Sequence, residues 1–157
     1  MDMRHPISRP VRLENASKRD VRTQFGALCW RVRKGKLQFC LITTRRTGRW
    51  VIPKGWPVDN ETPARSAEIE ALEEAGVSGR IDDHSMGIFT YLKELDGDDL
   101  PCVVAVFSLR VRVTAKVWKE KDQRSRRWVT RKTAARMVQE PELARIILGF
   151  DPKRHAA

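Results

Sequence analysis

One stretch, from Gly55 to Gly76, reads GWPVDNETPARSAEIEALEEAG and carries signals for both ends of a helix. Thr62 can cap the first turn and Pro63 suits the first helical position, while Gly76 suits the left-handed conformation that ends a helix. The predicted helix therefore spans residues 63–75. At about 100° per residue its small residues share one face, which can approach the rest of the fold closely. These residues are Ala64, Ala67, Ala71 and Ala75.

The same helix carries three glutamates within five residues, on a face away from the alanines. Glu70, Glu73 and Glu74 are related by i, i+3 and i+4, so their carboxylates cluster. Arg65 is the only cation within the helix. A solvated acidic face is one interpretation. The other is a site for a hard divalent cation such as Mg²⁺ or Mn²⁺, which takes carboxylate oxygens and binds phosphate at the same time.

Strand signals lie on both sides of this helix. A hairpin is predicted from residues 26–32 and 37–44, because both runs are rich in strand-forming residues and RKGK between them can turn. Further strands are predicted at 50–53, 86–93, 102–113 and 126–130, and helices at 133–138 and 141–148.

The chain length of 157 residues favours one domain, which we place at residues 21–150. Residues 1–20 are expected to form a loosely ordered basic arm, and residues 151–157 a tail. No apolar run approaches the roughly 20 residues that a membrane span needs, so no membrane segment is expected.

The three cysteines and the net charge bear on the compartment and the partner. Cys29, Cys40 and Cys102 lie far apart without metal-ligand spacing, so we interpret them as reduced core residues of a cytoplasmic protein. A net charge of +11 indicates a polyanionic partner, which leaves nucleic acid, an anionic membrane or small phosphorylated ligands open.

The full pattern around the helix resembles the Nudix box. Gly55, five residues, Glu61, seven residues and then the run from Ile69 to Val77 follow that family signature, except that Ile69 stands where the family has arginine. The resemblance covers about residues 22–150. It implies an α/β (α+β) fold, the Nudix fold, in which a mixed β-sheet is sandwiched between α-helices.

The resemblance also implies a reaction, the metal-dependent hydrolysis of a diphosphate bond with Mg²⁺ or Mn²⁺ as cofactor. It makes Glu70, Glu73 and Glu74 the catalytic metal ligands, with Glu70 as the favoured base. The carbonyl of Gly55 is implied as a further metal ligand, and Glu120 is a weaker candidate. Because the family arginine orients the glutamates, its replacement by isoleucine is expected to lower catalytic efficiency rather than abolish metal binding.

Two flanking stretches, LITTRRTGRWVIPKGW and DQRSRRWV, resemble the diphosphoinositol polyphosphate phosphohydrolases, which also cleave diadenosine polyphosphates. In that subgroup the corresponding stretches hold crowded phosphates, a task that suits arginine because its planar fork grips two oxygens. The substrate-binding residues implied here are Thr43, Thr44, Arg45, Arg124 and Arg126, with Arg22 and Lys54 as further candidates. Lys54 departs from the glycine that is usual in the subgroup.

Other functions stay open at this point. A Nudix pyrophosphohydrolase acting on nucleoside triphosphates or nucleotide sugars is one, and a catalytically weak domain that binds nucleic acid or a phosphorylated messenger is another. An enzyme would turn its ligand over with Mg²⁺, whereas a sensor would bind without turnover. The expected partner is a polyphosphorylated small molecule, with nucleic acid as the lesser alternative. The sequence does not define the oligomeric state, and a monomer is favoured.

Overall fold

The computed structural model describes residues 22–95 and 98–155. The predicted N-terminal arm, residues 1–20, lies outside these ranges. The described elements, in chain order, are β1 (Thr23–Arg33), β2 (Lys36–Thr43), β3 (Trp50–Val51), β4 (Lys54–Gly55), α1 (Pro63–Glu70), a π-helical turn (Ala71–Ala75), β5 (Val77–Leu95), β6 (Asp98–Thr114), β7 (Arg126–Thr130), α2 (Arg131–Met137), α3 (Pro141–Leu148) and α4 (Pro152–His155).

The strands form one mixed sheet in the order β3-β2-β1-β6-β5, with β4 paired to β1 and β7 paired to β2. The β1–β6 pair is parallel and the other pairs are antiparallel. Strand β1 is buried without a break from Gln24 to Trp30, the pattern of a strand covered on both faces. Helix α1 packs on β1, and α3 packs on β5 and α2. The predicted α+β fold with a mixed sheet between helices is confirmed.

The helix predicted at residues 63–75 is present and both of its end signals operate. Thr62 Oγ1 accepts a hydrogen bond from the Arg65 N–H at 3.1 Å, and Gly76 ends the helix at φ 65°. All four alanines of the predicted face are buried. The last turn widens into a π-helix over Ala71–Ala75, which the sequence pattern did not predict.

Strand β5 is longer than the predicted strand at residues 86–93, because it already begins at Val77. Its additional part pairs with β6 through irregular steps, including one between Ser78 and Gly79. A Cβ atom at Gly79 would lie 1.9 Å from the Arg110 carbonyl oxygen, so the close approach of the two strands there requires glycine. A polar run with broken alternation gives a weak strand signal, which explains the missed residues.

The three cysteines are buried and free, as predicted for core residues. At the C-terminal end, where a tail was predicted, Pro152–His155 forms one helical turn. The His155 ring stacks on Phe150 at a centroid distance of 5.1 Å, and its Nδ1 lies 3.0 Å from Asp82. No helix in the described ranges is both long enough and apolar enough to cross a bilayer.

Candidate active site

A cleft of about 690 Å³ opens beside the glutamate-bearing helix. Acidic and basic side chains line it together. The acidic ones are Glu70, Glu74 and Glu120, and the basic ones are Arg45, Arg46, Arg49, Lys54, Lys93 and Arg124. A site of this kind can hold a ligand that presents negative phosphates and bound cations at the same time.

Glu70 lies against Gly55, the second residue of β4. A Cβ atom at Gly55 would be 2.4 Å from the Glu70 carboxyl carbon, so only glycine leaves room for this carboxylate. Burial, together with the charge of the neighbouring carboxylates, raises the pKa of Glu70 to about 8. Within the described ranges, no hydrogen bond or ion pair reaches its carboxylate. Glu70 is therefore a partly buried acid that has no hydrogen-bonded or ion-paired partner among the described residues.

Glu74 is buried, and both of its carboxylate oxygens have donors. Oε1 accepts the backbone N–H of Lys54 at 2.9 Å, and Oε2 accepts Arg124 Nη2 at 2.7 Å. Burial raises the pKa of Glu74, whereas the Arg124 charge and the Lys54 N–H oppose that rise. These two contacts fix the plane and direction of the carboxylate at the inner end of the cleft.

Glu73 differs from the other two glutamates, because it is not among the residues that line the cleft. Its Oε1 lies 3.5 Å from Lys119 Nζ, and its carbonyl accepts the Glu120 N–H at 3.1 Å. Its role as a metal ligand stays a prediction. Glu120 instead reaches the cleft, where its Oε1 accepts Arg124 Nε at 2.9 Å. The sequence marked Glu120 only weakly because it lies far along the chain from the box.

The acidic groups of the cleft fit a hard divalent cation in kind, since all of them are oxygen donors. In the part of the chain that the structure describes, no three carboxyl, thiol or imidazole groups converge closely enough to enclose a metal ion by themselves. Mg²⁺ commonly binds through one or two carboxylates, with water and substrate phosphates completing its shell. Glu70 and Glu120, with the remaining lone pairs of Glu74, are the residues suited to this arrangement.

Among the predicted substrate-binding residues, Thr44, Arg45 and Lys54 line the cleft. The Lys54 ammonium lies 4.5 Å from the centre of the Tyr91 ring, and burial lowers its pKa to about 8. Thr43 and Arg22 are not brought into the lining. Thr43 Oγ1 accepts the Ser125 N–H at 2.8 Å, and the exposed Arg22 accepts a backbone hydrogen bond through its carbonyl.

Arg124 and Arg126, also predicted to hold phosphates, have protein acceptors. Arg124 lines the cleft, but each of its three nitrogens donates to the protein: Nε to Glu120, Nη1 to the Thr43 carbonyl and Nη2 to Glu74. Arg126 lies outside the lining and donates to the carbonyls of Ala75 and Ala115, both at 2.9 Å. The substrate contacts of both arginines stay predictions, and the structure gives both side chains other partners.

Several lining residues were not anticipated from the sequence. They are Arg46, Arg49, Trp56, Tyr91 and Lys93. Arg46 and Arg49 occur in the same basic stretch as Arg45, so that signal was available. Tyr91 and Lys93 stand two residues apart on β5 and share one side of the strand, but only its pairing in the sheet shows which side faces the cleft.

Two curated plant proteins are similar to this chain in sequence. No protein-family model matches the chain. It is 32% identical over 107 residues to Nudix hydrolase 13, mitochondrial, of Arabidopsis thaliana, covering 64% of this chain and 53% of that protein. It is 29% identical over 119 residues to Nudix hydrolase 12, mitochondrial, of the same plant, covering 73% and 59%. The chain thus spans between half and two thirds of the length of these curated relatives.

Two solved structures share the fold at low sequence identity. A Caenorhabditis elegans Ap4A hydrolase in a binary complex superposes with a TM-score of 0.63 at 19% identity, covering 87% of this chain and 100% of that one. The NUDIX domain of Shewanella oneidensis NrtR complexed with ADP ribose gives a TM-score of 0.61 at 12% identity, covering 86% and 88%. The mixed sheet and the glutamate-bearing helix therefore define a domain of the Nudix fold. In sequence, the chain is similar to proteins named Nudix hydrolases.

Proposed function

We propose that this protein is a divalent-metal-dependent hydrolase that cleaves a diphosphate bond in a highly phosphorylated small molecule. The observation that carries the proposal is the composition of the cleft, where three carboxylates and six cationic side chains line one space. In a phosphorylated ligand with bound metal ions, the phosphates would pair with the cationic side chains and the metal ions with the carboxylates. The relatives named Nudix hydrolase support a reaction of this class.

The residues of the cleft divide the work of such a reaction. A bound divalent cation would neutralise phosphate oxygens and lower the pKa of a water molecule. Glu70 has no hydrogen-bond donor in the described ranges and a raised pKa, so its carboxylate is suited to accept the proton of the attacking water. Glu74 is held rigidly by its two donors and keeps its direction during the reaction.

For the substrate, we propose diphosphoinositol polyphosphates or diadenosine polyphosphates. Arg45 and Lys54 lie on the cleft wall with Arg46 and Lys93, and several cations are needed to hold a crowded run of phosphates. The likeness to a C. elegans Ap4A hydrolase supports a dinucleoside polyphosphate among the ligands. For its location we propose the cytoplasm, in keeping with three free, buried cysteines.

The test is a substrate panel assayed with Mg²⁺ and with Mn²⁺. Diphosphoinositol polyphosphates, diadenosine polyphosphates, nucleoside triphosphates and nucleotide sugars are compared by kcat/KM. We expect the highest kcat/KM for the first two classes. A clear preference for nucleoside triphosphates or nucleotide sugars would overturn the substrate proposal and leave the reaction class standing.

A second function, a domain that binds a phosphorylated messenger with little turnover, is favoured by one observation. Glu73 lies outside the cleft lining beside Lys119, and residue 69 is an isoleucine, so the box glutamates are not all directed at one place. Calorimetry with the same panel separates the two functions. Tight binding without release of phosphate or nucleotide would indicate the sensor.

A further inference from the structure

The segment Ala115–Arg126, which we call the brace, returns from the end of β6 to the C-terminal end of the glutamate-bearing helix. The last carbonyls of a helix have no partners within it. Here four consecutive carbonyls accept donors from the brace: Glu73 from the Glu120 N–H at 3.1 Å, Glu74 from Trp118 Nε1 at 3.1 Å, Ala75 from Arg126 Nη1 at 2.9 Å and Gly76 from the Ala115 N–H at 2.8 Å. These hydrogen bonds therefore hold the C-terminal end of the helix in a fixed position against the brace.

Side-chain packing holds the brace in this place. A Cβ atom at Gly76 would lie 2.6 Å from ring atoms of Trp118, so the indole rests directly on the glycine. The guanidinium carbon of Arg126 lies 4.0 Å from the centre of the Trp118 ring, on which it stacks. Arg124 thus belongs to a segment whose position relative to Glu74 is set by several independent contacts.

Arg124 joins three separate parts of the chain through one guanidinium group. Its Nη2 donates to Glu74 Oε2 at 2.7 Å, its Nε to Glu120 Oε1 at 2.9 Å and its Nη1 to the Thr43 carbonyl at 3.1 Å. Each of its nitrogens is thereby committed to a protein acceptor. Two of those acceptors are carboxylates suited to hold the metal.

The exposure of Arg124 also differs from that of an arginine placed to grip a ligand. Its side chain is 9% exposed, whereas the side chain of Arg45 on the cleft wall is 60% exposed. A phosphate that took the donors of Arg124 would have to separate it from Glu74 and Glu120. That exchange would leave a buried carboxylate without its cation, which is unfavourable.

We propose that Arg124 is a positioning residue, which holds the carboxylates of Glu74 and Glu120 in the orientation that the divalent cation requires. This inference rests on the proposed function only in that these carboxylates bind a metal. It also accounts for an isoleucine at position 69, because a guanidinium group from a distant part of the chain already orients a box glutamate.

The experiment titrates the 157-residue chain with Mn²⁺ alone, followed by electron paramagnetic resonance, and then titrates the Mn²⁺-loaded protein with inorganic tripolyphosphate. Arg124→Met is expected to weaken Mn²⁺ binding by about 10- to 100-fold, the usual cost of losing a group that orients metal ligands. Arg124→Lys keeps the charge but cannot hold both carboxylates, so its Mn²⁺ affinity should be intermediate. Arg127→Met is the matched control, because Arg127 is exposed on β7 and does not line the cleft.

Folded Arg124→Met protein with wild-type Mn²⁺ affinity and weaker tripolyphosphate binding would overturn the proposal in favour of a substrate contact. If Arg124→Met does not fold, Arg124→Lys decides, and wild-type Mn²⁺ affinity in that variant overturns the proposal. Failure of the proposed function looks different. In that case the wild-type protein would bind Mn²⁺ and Arg124→Met would weaken this binding, but the wild-type protein would hydrolyse no compound of the substrate panel. Wild-type protein that binds no Mn²⁺ would overturn both.

Discussion

Arg45 on the cleft wall and the two arginines of the brace, of which only Arg124 lines the cleft, differ in what their guanidinium groups contact. Arg45 on the wall is 60% exposed, and its Nη1 donates to Gln123 Oε1 at 3.1 Å and lies 4.0 Å from Glu120 Oε1, so most of its guanidinium group still faces solvent. Arg124 and Arg126 in the brace donate to carboxylates and carbonyls of the protein. Proximity to the cleft therefore does not by itself make an arginine a phosphate ligand. The nearby protein acceptors determine whether its donors remain available.

The largest effect on the reaction rate is expected from a change at Glu70, a glutamate that lines the cleft. Glu70→Gln removes the proposed base and should lower kcat by about 10²- to 10⁴-fold. Glu73→Gln should lose much less, because Glu73 does not line the cleft. Glu68→Gln is the matched control on the same helix, since Glu68 pairs with Arg65 and is not a lining residue. Equal losses in all three variants would contradict the assignment of the reacting site.

The brace is next, and a double-mutant cycle measures its contribution to stability. Arg124→Met leaves Glu74 buried without its cation and should lower the free energy of unfolding by about 3–5 kcal/mol. At roughly 2–4 °C per kcal/mol, the melting temperature should fall by about 6–20 °C. In the Glu74→Gln background the same change should cost less, with a coupling energy of roughly 1–3 kcal/mol.

The partly exposed Arg65–Glu68 pair serves as the comparison for that cycle. Its Nη1 and Oε1 atoms are 3.2 Å apart, so distance alone would rank it close to the brace contact. We expect a coupling energy of only about 0.3–0.5 kcal/mol, as for other exposed helix pairs. A brace coupling no larger than this would show that burial adds nothing to the Arg124 contact.

Stability should also depend on pH through Glu70 when no metal is bound. The pKa of Glu70 in the folded protein is raised to about 8 from an ordinary value of 4.5, so folding favours the protonated acid. Its contribution to stability is full below pH 4.5 and is lost as the pH rises to about 8. Allowing for solvent screening, the loss is roughly 1–2 kcal/mol, or about 2–8 °C.

This pH effect is measured as the difference in melting temperature between wild-type and Glu70→Gln protein from pH 4.5 to 8.5 in a chelator. Taking the difference removes the contributions of the histidines. Added Mg²⁺ should reverse the loss at the upper end of the range, because a cation stabilises the ionised carboxylate. A constant difference across the range would mean that Glu70 titrates as it does in water.

On the wall, Arg45→Met should raise KM for a polyphosphate substrate by about fivefold, equivalent to roughly 1 kcal/mol. Both kcat and the melting temperature should stay within error, since this exposed side chain contributes little to packing. The rise in KM should shrink at high salt because exposed charges are screened. A fall in melting temperature comparable to that of Arg124→Met would remove the distinction between wall and brace.

The smallest effect is expected at Ile69. Ile69→Arg restores the family residue, but Arg124 already contacts Glu74 and Lys119 already lies near Glu73. We therefore expect kcat and the Mg²⁺ concentration for half-maximal rate to change by less than about twofold. Ile69→Lys controls for added charge without the guanidinium fork. A large gain with arginine alone would show that the brace does not compensate for the missing residue.

Signals that act over a few residues predicted their structures well. The cap at Thr62, the ending glycine at position 76 and the alanine periodicity all appear where the sequence placed them. They succeed because a cap, a positive φ and a buried face depend mainly on residues within one or two turns. The spacing of the glutamates likewise placed Glu70 and Glu74 beside one cleft.

The first part of β5 and the π-helical turn were missed because their causes are not local. The segment beginning at Val77 is extended because β6 pairs with it, despite irregular register. The π-helical turn at Ala71–Ala75 lies where donors of the brace form hydrogen bonds with the last carbonyls of the helix. Neither partner can be recognised from the residues of the element itself.

From the sequence alone came the resemblance to the Nudix family, the fold class, the helix with its buried alanine face and the carboxylates of the box. Only the tertiary structure showed which arginines donate to protein acceptors and which face the solvent. Arg45 and Arg124 are equivalent as residue types and were assigned the same role. Arg124, however, donates within 3.1 Å to Glu120 in its own segment and to Thr43 and Glu74 in two distant segments. A guanidinium group is directed by whichever acceptors surround it, and only the folded chain brings Thr43, Glu74 and Glu120 to one place.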